Sequence, residues 1–212
     1  MRTLRKIIEY PALLRRSLGY GVHSPFAFSF ITKVLRERKA QYYAYAEIAA
    51  FCPRSRKAGF NEIFAGKDMS VPEAWMLFRV LCHFNPSDVI EVGHGHEVTT
   101  VIFNRAIPRA RIHVWHNEHH PDKELSEATE PFVLVNQYNE SDTEVLKKYL
   151  HELIADGNCI MYMRNLNTLP CMKRMWHYLC GLTDYGMGFT DGYTGIFVAR
   201  ATLPHQIYRI LM

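Results

Sequence analysis

Residues 90–100 read IEVGHGHEVTT and combine an acid, two glycines and two imidazoles directly after a β-branched run. A glycine-rich turn between a strand and a helix lets backbone N–H groups approach a ligand closely. Paired imidazoles on an extended segment are also common metal ligands. The stretch therefore fits a glycine loop for a nucleotide-like ligand, a metal site, or a loop that has lost its ligand.

A second histidine-rich stretch, HVWHNEHH, follows at residues 113–120. If both stretches end neighbouring strands, their side chains meet at one edge of a sheet. Three imidazoles with a carboxylate suit zinc or another transition metal. The H-x-H spacing matches no established motif, so a metal site is the minor alternative. Its candidate ligands are His94, His96, His116, Glu118, His119 and His120.

Length and composition favour one globular domain with an appended segment. The chain has 212 residues, of which 48% are hydrophobic and 22% charged. No apolar run reaches the ~18 residues that a membrane span requires, and the basic N-terminus lacks the apolar region of a signal peptide. The five cysteines are odd in number and form no C-x-x-C pair. We therefore expect reduced thiols and a cytoplasmic protein.

Charge is unevenly distributed along the chain. Residues 1–67 hold 13 Lys or Arg against 4 Asp or Glu, whereas the remainder holds 12 against 17. A basic segment of this kind could face RNA, an anionic membrane surface or an acidic partner. A solvated helical face is the simpler interpretation.

Hydrophobic spacing predicts helices over residues 1–52 and a connection over residues 53–68. We therefore divide the chain into a helical extension (1–68) and an α/β domain (69–212). Phe26 and Phe30, four residues apart, are expected to pack on the main domain, with Phe28 pointing elsewhere. The N-terminal segment would then be an integral lid over the sheet's carboxyl edge. Ser70 to Glu73 form a capping box that predicts the start of a helix.

Strand and helix patterns alternate after that helix. Predicted strands cover 88–92, 111–115, 132–135 and 158–163, predicted helices cover 99–106, 142–155 and 169–182, and two β-rich runs flank Asp191-Gly192. This alternation predicts a mostly parallel, doubly wound sheet that ends in an antiparallel hairpin. Such sheets bind ligands at the carboxyl ends of their strands, where GHGHE lies.

An acid at a strand end, then Gly-x-Gly, then a helix resembles motif I of class I S-adenosylmethionine-dependent methyltransferases. GYGVHSPFAFSFITKVL and YYAYAEI are similar to the N-terminal segment of a methyltransferase-like family of Bacteroidetes-type bacteria. With GIFVAR near the C-terminus, the resemblance covers most of the chain. It implies a Rossmann-like methyltransferase sheet with a C-terminal antiparallel hairpin.

The resemblance implies that Glu91, Gly93, Gly95, His116 and Asn136 surround S-adenosylmethionine. Several of these positions depart from the family pattern. In the family, the loop after the first strand usually carries a glycine where this chain has Glu97, and an acid usually ends the second strand where it has His116. An aspartate is expected after the fourth strand, where this chain has Asn136. The acidic pair expected after a later strand is Arg164-Asn165. A neutral imidazole offers one acceptor where a carboxylate offers about four lone-pair sites.

The span from residue 116 to residue 131 is too short for a helix, a strand and a return. FVLVNQYNESDTEVLKKYL resembles the family's fourth strand and its helix. We therefore predict that the third strand, an edge strand, is missing. Residues 111–115 would then form an exposed edge, which a homodimer could cover.

These departures favour a methyltransferase-like pseudoenzyme with an eroded cofactor pocket, non-catalytic or weakly binding, that acts through a partner protein. The alternative is an active methyltransferase of unknown acceptor with altered cofactor contacts, in which His116 or Glu118 contributes. A metal-binding protein is the third hypothesis.

Overall fold

The computed structural model describes residues 2–37, 42–57, 69–93, 97–115 and 130–212. The helices are α1 (Arg2–Ser17), α2 (Pro25–Phe30), α3 (Ala44–Lys57), α4 (Val71–Phe84), α5 (Glu97–Ala106), α6 (Thr143–Ala155) and α7 (Pro170–Cys180), with a π-helical turn at Ile31–Leu35 and a 3₁₀ turn at Glu140–Asp142. The strands are β1 (Asp88–Val92), β2 (Arg111–Trp115), β3 (Phe132–Val135), β4 (Asn158–Met163), β5 (Met187–Thr190), β6 (Gly195–Arg200) and β7 (Gln206–Arg209).

The strands form one mixed sheet of seven in the order β2-β1-β3-β4-β6-β5-β7. Strands β1 to β4 pair in parallel, and β6 runs antiparallel to both β4 and β5. The predicted α/β class and the C-terminal hairpin are therefore confirmed. The sequence analysis missed β7, which pairs in parallel with β5 at the far edge. Its four residues, QIYR, give too short a pattern to predict a strand.

The FVLV segment lies at the centre of the sheet, between β1 and β4. This is the position of the family's fourth strand, which FVLV was predicted to match. Strand β2 pairs only with β1 among the described residues. Residues 116–129 lie outside the described ranges, so the missing third strand stays a prediction.

Each face of the sheet carries its own hydrophobic core. Tyr162 and Ile160 point into the core formed with α2 to α5, whereas Met161 and Cys159 point into the core formed with α6 and α7. Side chains alternate along a strand, so both faces of β4 are buried. All four residues of β3 are buried as well, as expected for a parallel strand covered on both sides.

The N-terminal helices extend further than expected. Helix α1 continues through Pro11, and α3 continues through Pro53 to Lys57. The connection predicted from residue 53 therefore begins later, and residues 58–68 lie outside the described ranges. Ile31 and Ile48 have no exposed surface and belong to the same core as α4 and the sheet.

Phe26 and Phe30 stack on each other at 5.8 Å and belong to the core, while Phe28 is 46% exposed, as predicted. The two rings do not lie over the carboxyl edge, whereas Leu35, Glu37 and Tyr45 of the same N-terminal segment line a cleft there. Phe26 lies near Arg200, which pairs with the first residue of β4 and so marks the amino edge of the sheet. The rings pack there because the face of α4 is apolar, whereas the carboxyl edge carries polar groups.

Within the described ranges, no helix is both long enough and apolar enough to cross a membrane.

Candidate functional site

The carboxyl ends of the parallel strands meet at one edge of the sheet. Glu91 is the fourth residue of β1, Asn136 directly follows β3, and Arg164 directly follows β4. The backbone ladder continues past the strands: the Asn136 N–H donates to Val92 at 2.9 Å, and the Arg164 N–H donates to Val135 at 3.0 Å. The turn between β5 and β6 lies at the same edge, because β5 runs in the direction of β4.

Four side chains at this edge form a continuous chain of hydrogen bonds, which we call the edge network: Glu73, Arg164, Asn136 and Glu91. Arg164 Nε donates to Glu73 Oε1 at 2.7 Å, and Arg164 Nη1 donates to Asn136 Oδ1 at 3.2 Å. Asn136 Nδ2 in turn donates to Glu91 Oε1 at 2.8 Å. The network thereby links β1, β3 and β4 to the first turn of α4.

The edge network is closed to solvent over most of its length. Arg164 and Asn136 are each 1% exposed, and Glu91 is 3% exposed. Buried polar groups are tolerated when they bond to one another, and each of these three does. A ligand hydroxyl or amine could reach them only by displacing a bond that the protein already makes.

Burial raises the pKa of Glu91 above its ordinary value. Hydrogen bonds from Thr99 and Asn136, and the positive charge of Arg164, oppose this shift without cancelling it. Arg164 does not touch Glu91 directly, because Asn136 stands between them. The Glu91 carboxyl near the end of β1 is thus held in a buried environment that favours its protonated form more than water does.

Gly93 is required by packing within the chain. Its φ of +88° lies in the left-handed region, and a Cβ there would come within 2.3 Å of the Gln137 carbonyl oxygen. Only glycine allows the loop after β1 to approach the loop after β3 so closely. Internal packing alone therefore explains the first glycine of the motif.

Asn165 holds the loops after β3 and β4 together. Its φ of +60° is left-handed, a conformation that asparagine tolerates better than most residues. Its Nδ2 donates to the Asn136 carbonyl oxygen at 3.0 Å. The polar pair Arg164-Asn165 therefore fixes the edge from both sides of Asn136.

The structure brings together Glu91, Gly93 and Asn136 among the residues predicted to bind a cofactor. Gly95 and His116 lie outside the described ranges, as do the other ligands of the histidine cluster. Glu97, where the resemblance expects glycine, begins α5 and is exposed. In the part of the chain that the structure describes, no group of three His, Cys, Asp or Glu side chains is placed to hold a metal ion.

Two members of the site were not predicted from the sequence. Glu73 was predicted only as a helix cap; its carboxylate does accept from the Ser70 N–H at 3.4 Å, but it also binds Arg164. Thr99 was assigned to a helix without a role, yet its side chain bonds to Glu91. The available signal in the sequence was Arg164, a cation directly after an apolar strand, which indicates that an acid from elsewhere in the chain pairs with it.

A cleft of about 670 Å³ adjoins the edge network. It lies between the N-terminal segment, the first turns of α4, the loop after β4 and the β5–β6 turn. Its lining residues include Glu37, Tyr45, Glu73, Trp75, Arg79 and Asp191. Small-molecule sites typically occupy roughly 300–1,000 Å³, so the cleft has the volume of such a site.

The β5–β6 turn presents Asp191 to this cleft. Asp191 Oδ1 accepts hydrogen bonds from the Tyr193 and Thr194 N–H groups, each at 2.8 Å. Burial raises the pKa of Asp191; these backbone bonds oppose the shift, and the nearby Glu73 carboxylate adds to it. The turn thus holds one carboxyl oxygen rigidly at the rim of the sheet.

No protein-family model matches this sequence, and no curated protein matches it. Among solved structures, it is similar to the O-methyltransferase TomG from Streptomyces achromogenes, involved in tomaymycin synthesis and solved in complex with S-adenosylmethionine. The two chains share 13% identity over 76% of this chain and 92% of that one, with a TM-score of 0.46.

Proposed function

We propose that this protein is a methyltransferase-like pseudoenzyme whose cofactor position is taken by its own polar contacts, so that it binds S-adenosylmethionine weakly and acts through a partner. One observation carries the proposal. Glu91, Asn136 and Arg164 stand where the resemblance places cofactor-facing groups, and they bond to one another in a buried chain.

Cofactor binding at this edge requires an exchange of hydrogen bonds. Glu91 and Asn136 are buried and already bond to each other, so a ligand that reaches them must open contacts within the chain, which reduces the net gain from each new bond. Each charge-assisted hydrogen bond that a cofactor fails to make costs about 1.5–3 kcal/mol. Two such losses weaken binding by roughly a hundredfold to ten-thousandfold.

Titration calorimetry with S-adenosylmethionine and S-adenosylhomocysteine tests the proposal. We expect dissociation constants of about 1 mM or weaker for both, because the edge network is already satisfied. A cooperative thermal melt of the same sample serves as the control for folding. Micromolar affinity for either compound would contradict the proposal.

Active methyl transfer with altered cofactor contacts is the second candidate function. The cleft beside the edge network favours it, since it offers an acceptor a small-molecule-sized volume at the carboxyl edge. Micromolar cofactor binding in the same calorimetry would support this candidate.

The partner in this proposal could be a second copy of the chain. Strand β2 stands at the edge of the described sheet, and its Ile112 and Val114 are 40% and 41% exposed. Exposed sheet edges invite pairing with another strand. Sedimentation velocity of the wild type and of Val114→Lys tests this: a dimer that the substitution dissociates is expected, and a monomeric wild type contradicts it.

A further inference from the structure

We propose that the cleft at the carboxyl edge binds an organic amine with an apolar or aromatic body, and that Asp191 is the counter-ion for its ammonium group. This inference goes beyond the proposed function and does not depend on whether the protein binds S-adenosylmethionine. It rests on which charged groups around the cleft are already engaged and which are not.

Asp191 is anchored at only one of its two oxygens. Oδ1 accepts from the Tyr193 and Thr194 N–H groups. Apart from the N–H of Asp191 itself, which also favours the carboxylate, no residue that the structure describes donates to Oδ2. The carboxylate is therefore fixed in direction, and its second oxygen is available to a donor in the cleft. A rigid, half-satisfied carboxylate is a good acceptor for an ammonium group.

The other charged groups facing the cleft are engaged within the chain. Glu73 is bound to Arg164 at 2.7 Å, and Glu37 also has an interaction within the chain. Arg79 donates to the carbonyl oxygens of Val34 and Leu35 at 2.7 and 3.2 Å. Those carbonyls end the π-helical turn, where a positive charge is favourable. Arg79 thus has a structural role and does not neutralise Asp191 by direct contact.

Aromatic side chains supply the apolar wall. Tyr45 and Trp75 both line the cleft, and their rings stack with centroids 4.5 Å apart and planes 9° apart. Trp75 Nε1 donates to the Tyr45 carbonyl oxygen at 3.1 Å, which fixes the indole. Aromatic faces attract organic cations and pack against apolar bodies. An amine with an apolar body can therefore satisfy both the wall and Asp191.

Calorimetry of the wild-type protein with phenethylamine and with 2-phenylethanol tests the inference. The two probes share a body and differ in charge, so a salt bridge to Asp191 favours the amine. We expect the amine to bind at least about tenfold more tightly than the alcohol. Raising the salt concentration should weaken amine binding and leave alcohol binding nearly unchanged.

Asp191→Asn identifies the counter-ion. Asparagine can still accept the two backbone hydrogen bonds, so the turn should persist, and we expect amine affinity to fall at least about tenfold. Glu152→Gln is the matched control, because it removes one negative charge from an exposed position on α6 that does not line the cleft. It should bind the amine as the wild type does.

Three results would overturn the inference. These are no amine binding to the wild type at about 10 mM, equal affinity for the amine and the alcohol, and unchanged amine affinity in a folded Asp191→Asn protein. If Asp191→Asn does not fold, the probe comparison and the salt dependence of the wild type decide the matter.

Discussion

Strand β1 carries two buried carboxyl groups, Asp88 at its amino end and Glu91 near its carboxyl end. Asp88 has no exposed surface and Glu91 is 3% exposed, yet their pKa values move in opposite directions. Burial raises the pKa of Glu91. Burial also acts to raise the pKa of Asp88, but hydrogen bonds from Arg111, His113 and Ser87 outweigh it, so the pKa is lowered.

The difference lies in how each carboxyl meets its cation. Arg111 contacts Asp88 directly, with Nε 2.7 Å from Oδ1 and Nη2 3.0 Å from Oδ2. Glu91 reaches Arg164 only through the amide of Asn136, and Arg164 is itself bound to Glu73. A directly paired carboxylate is stable as an anion, whereas a carboxyl behind a neutral amide gains less from ionisation.

The two ends of β1 therefore have different parts in the molecule. The amino end is an ion pair with an exposed arginine that locks β2 to β1. The carboxyl end is a buried chain of hydrogen bonds at the edge where the resemblance implies a cofactor. This contrast can be sharpened or broken by substitutions, beginning with the largest expected effect.

Arg164→Met should reduce the free energy of unfolding by about 3 kcal/mol or more, since it leaves Glu73 and the buried Asn136 without their shared donor. Chemical denaturation measures this change. Arg174→Met is the matched control. Arg174 pairs with Glu140 on the surface, where the two side chains are 67% and 72% exposed, so less than about 1 kcal/mol should be lost. Equal losses in the two variants would show that the edge network contributes nothing special.

Asp88→Asn should cost about 1–3 kcal/mol near neutral pH, because it removes the charged half of a buried hydrogen-bonded pair. Because folding lowers the pKa of Asp88, its ionised carboxylate stabilises the folded protein at any pH above the pKa of Asp88 in the unfolded chain. This stabilisation is lost as the pH falls through the pKa of Asp88 in the folded protein. The difference in free energy of unfolding between the wild type and Asp88→Asn should therefore become smaller at acidic pH. A constant gap across the pH range would contradict this assignment.

Glu91→Gln should change the stability by less than about 1 kcal/mol, because the amide can still accept from Asn136. Because folding raises the pKa of Glu91, the protonated carboxyl stabilises the folded protein at any pH below the pKa of Glu91 in the unfolded chain. This stabilisation is lost as the pH rises through the pKa of Glu91 in the folded protein. The free energy of unfolding of Glu91→Gln, relative to that of the wild type, should therefore increase with rising pH. For Asp88→Asn the same difference should change in the opposite direction. Thermal melts of the wild type and both variants over one pH series measure how each stability difference changes with pH. If both differences change in the same direction, the contrast between Asp88 and Glu91 is wrong.

Tyr162→Phe should have the smallest effect. The Tyr162 hydroxyl is fully buried on β4 and has no hydrogen-bond partner among the residues that the structure describes, so its removal should be neutral or stabilising by up to about 1 kcal/mol. Tyr185→Phe is the contrast, since the Tyr185 hydroxyl donates to the Ile154 carbonyl oxygen at 2.5 Å. It should lose about 1 kcal/mol. A larger loss at Tyr162 than at Tyr185 would reveal an unrecognised partner for its hydroxyl.

The sequence predicted the strands and helices of the main domain well, because Asp88–Val92 and FVLV are compact β-branched or apolar runs and α6 has a clear apolar stripe. The family resemblance implied that Glu91, Asn136 and Arg164 follow or end neighbouring strands around one pocket, and the three side chains do meet at one edge of the sheet. The sequence could not predict that Arg164 binds Glu73, since 91 residues separate them and only packing brings α4 over β4. Nor could it place Asp191 in a cleft, which requires the N-terminal helices to be docked.

The most direct test of the closed edge is to follow the Glu91 side-chain carboxyl by carbon-detected NMR while S-adenosylhomocysteine is added. Glu91 is the group that a cofactor at this edge would have to engage or disturb. We expect a nearly unchanged Glu91 signal up to about 0.1 mM ligand, well below the expected dissociation constant, because the carboxyl is bonded to Asn136 and Thr99 and closed to solvent. A Glu91 signal that shifts and saturates at micromolar ligand would contradict it.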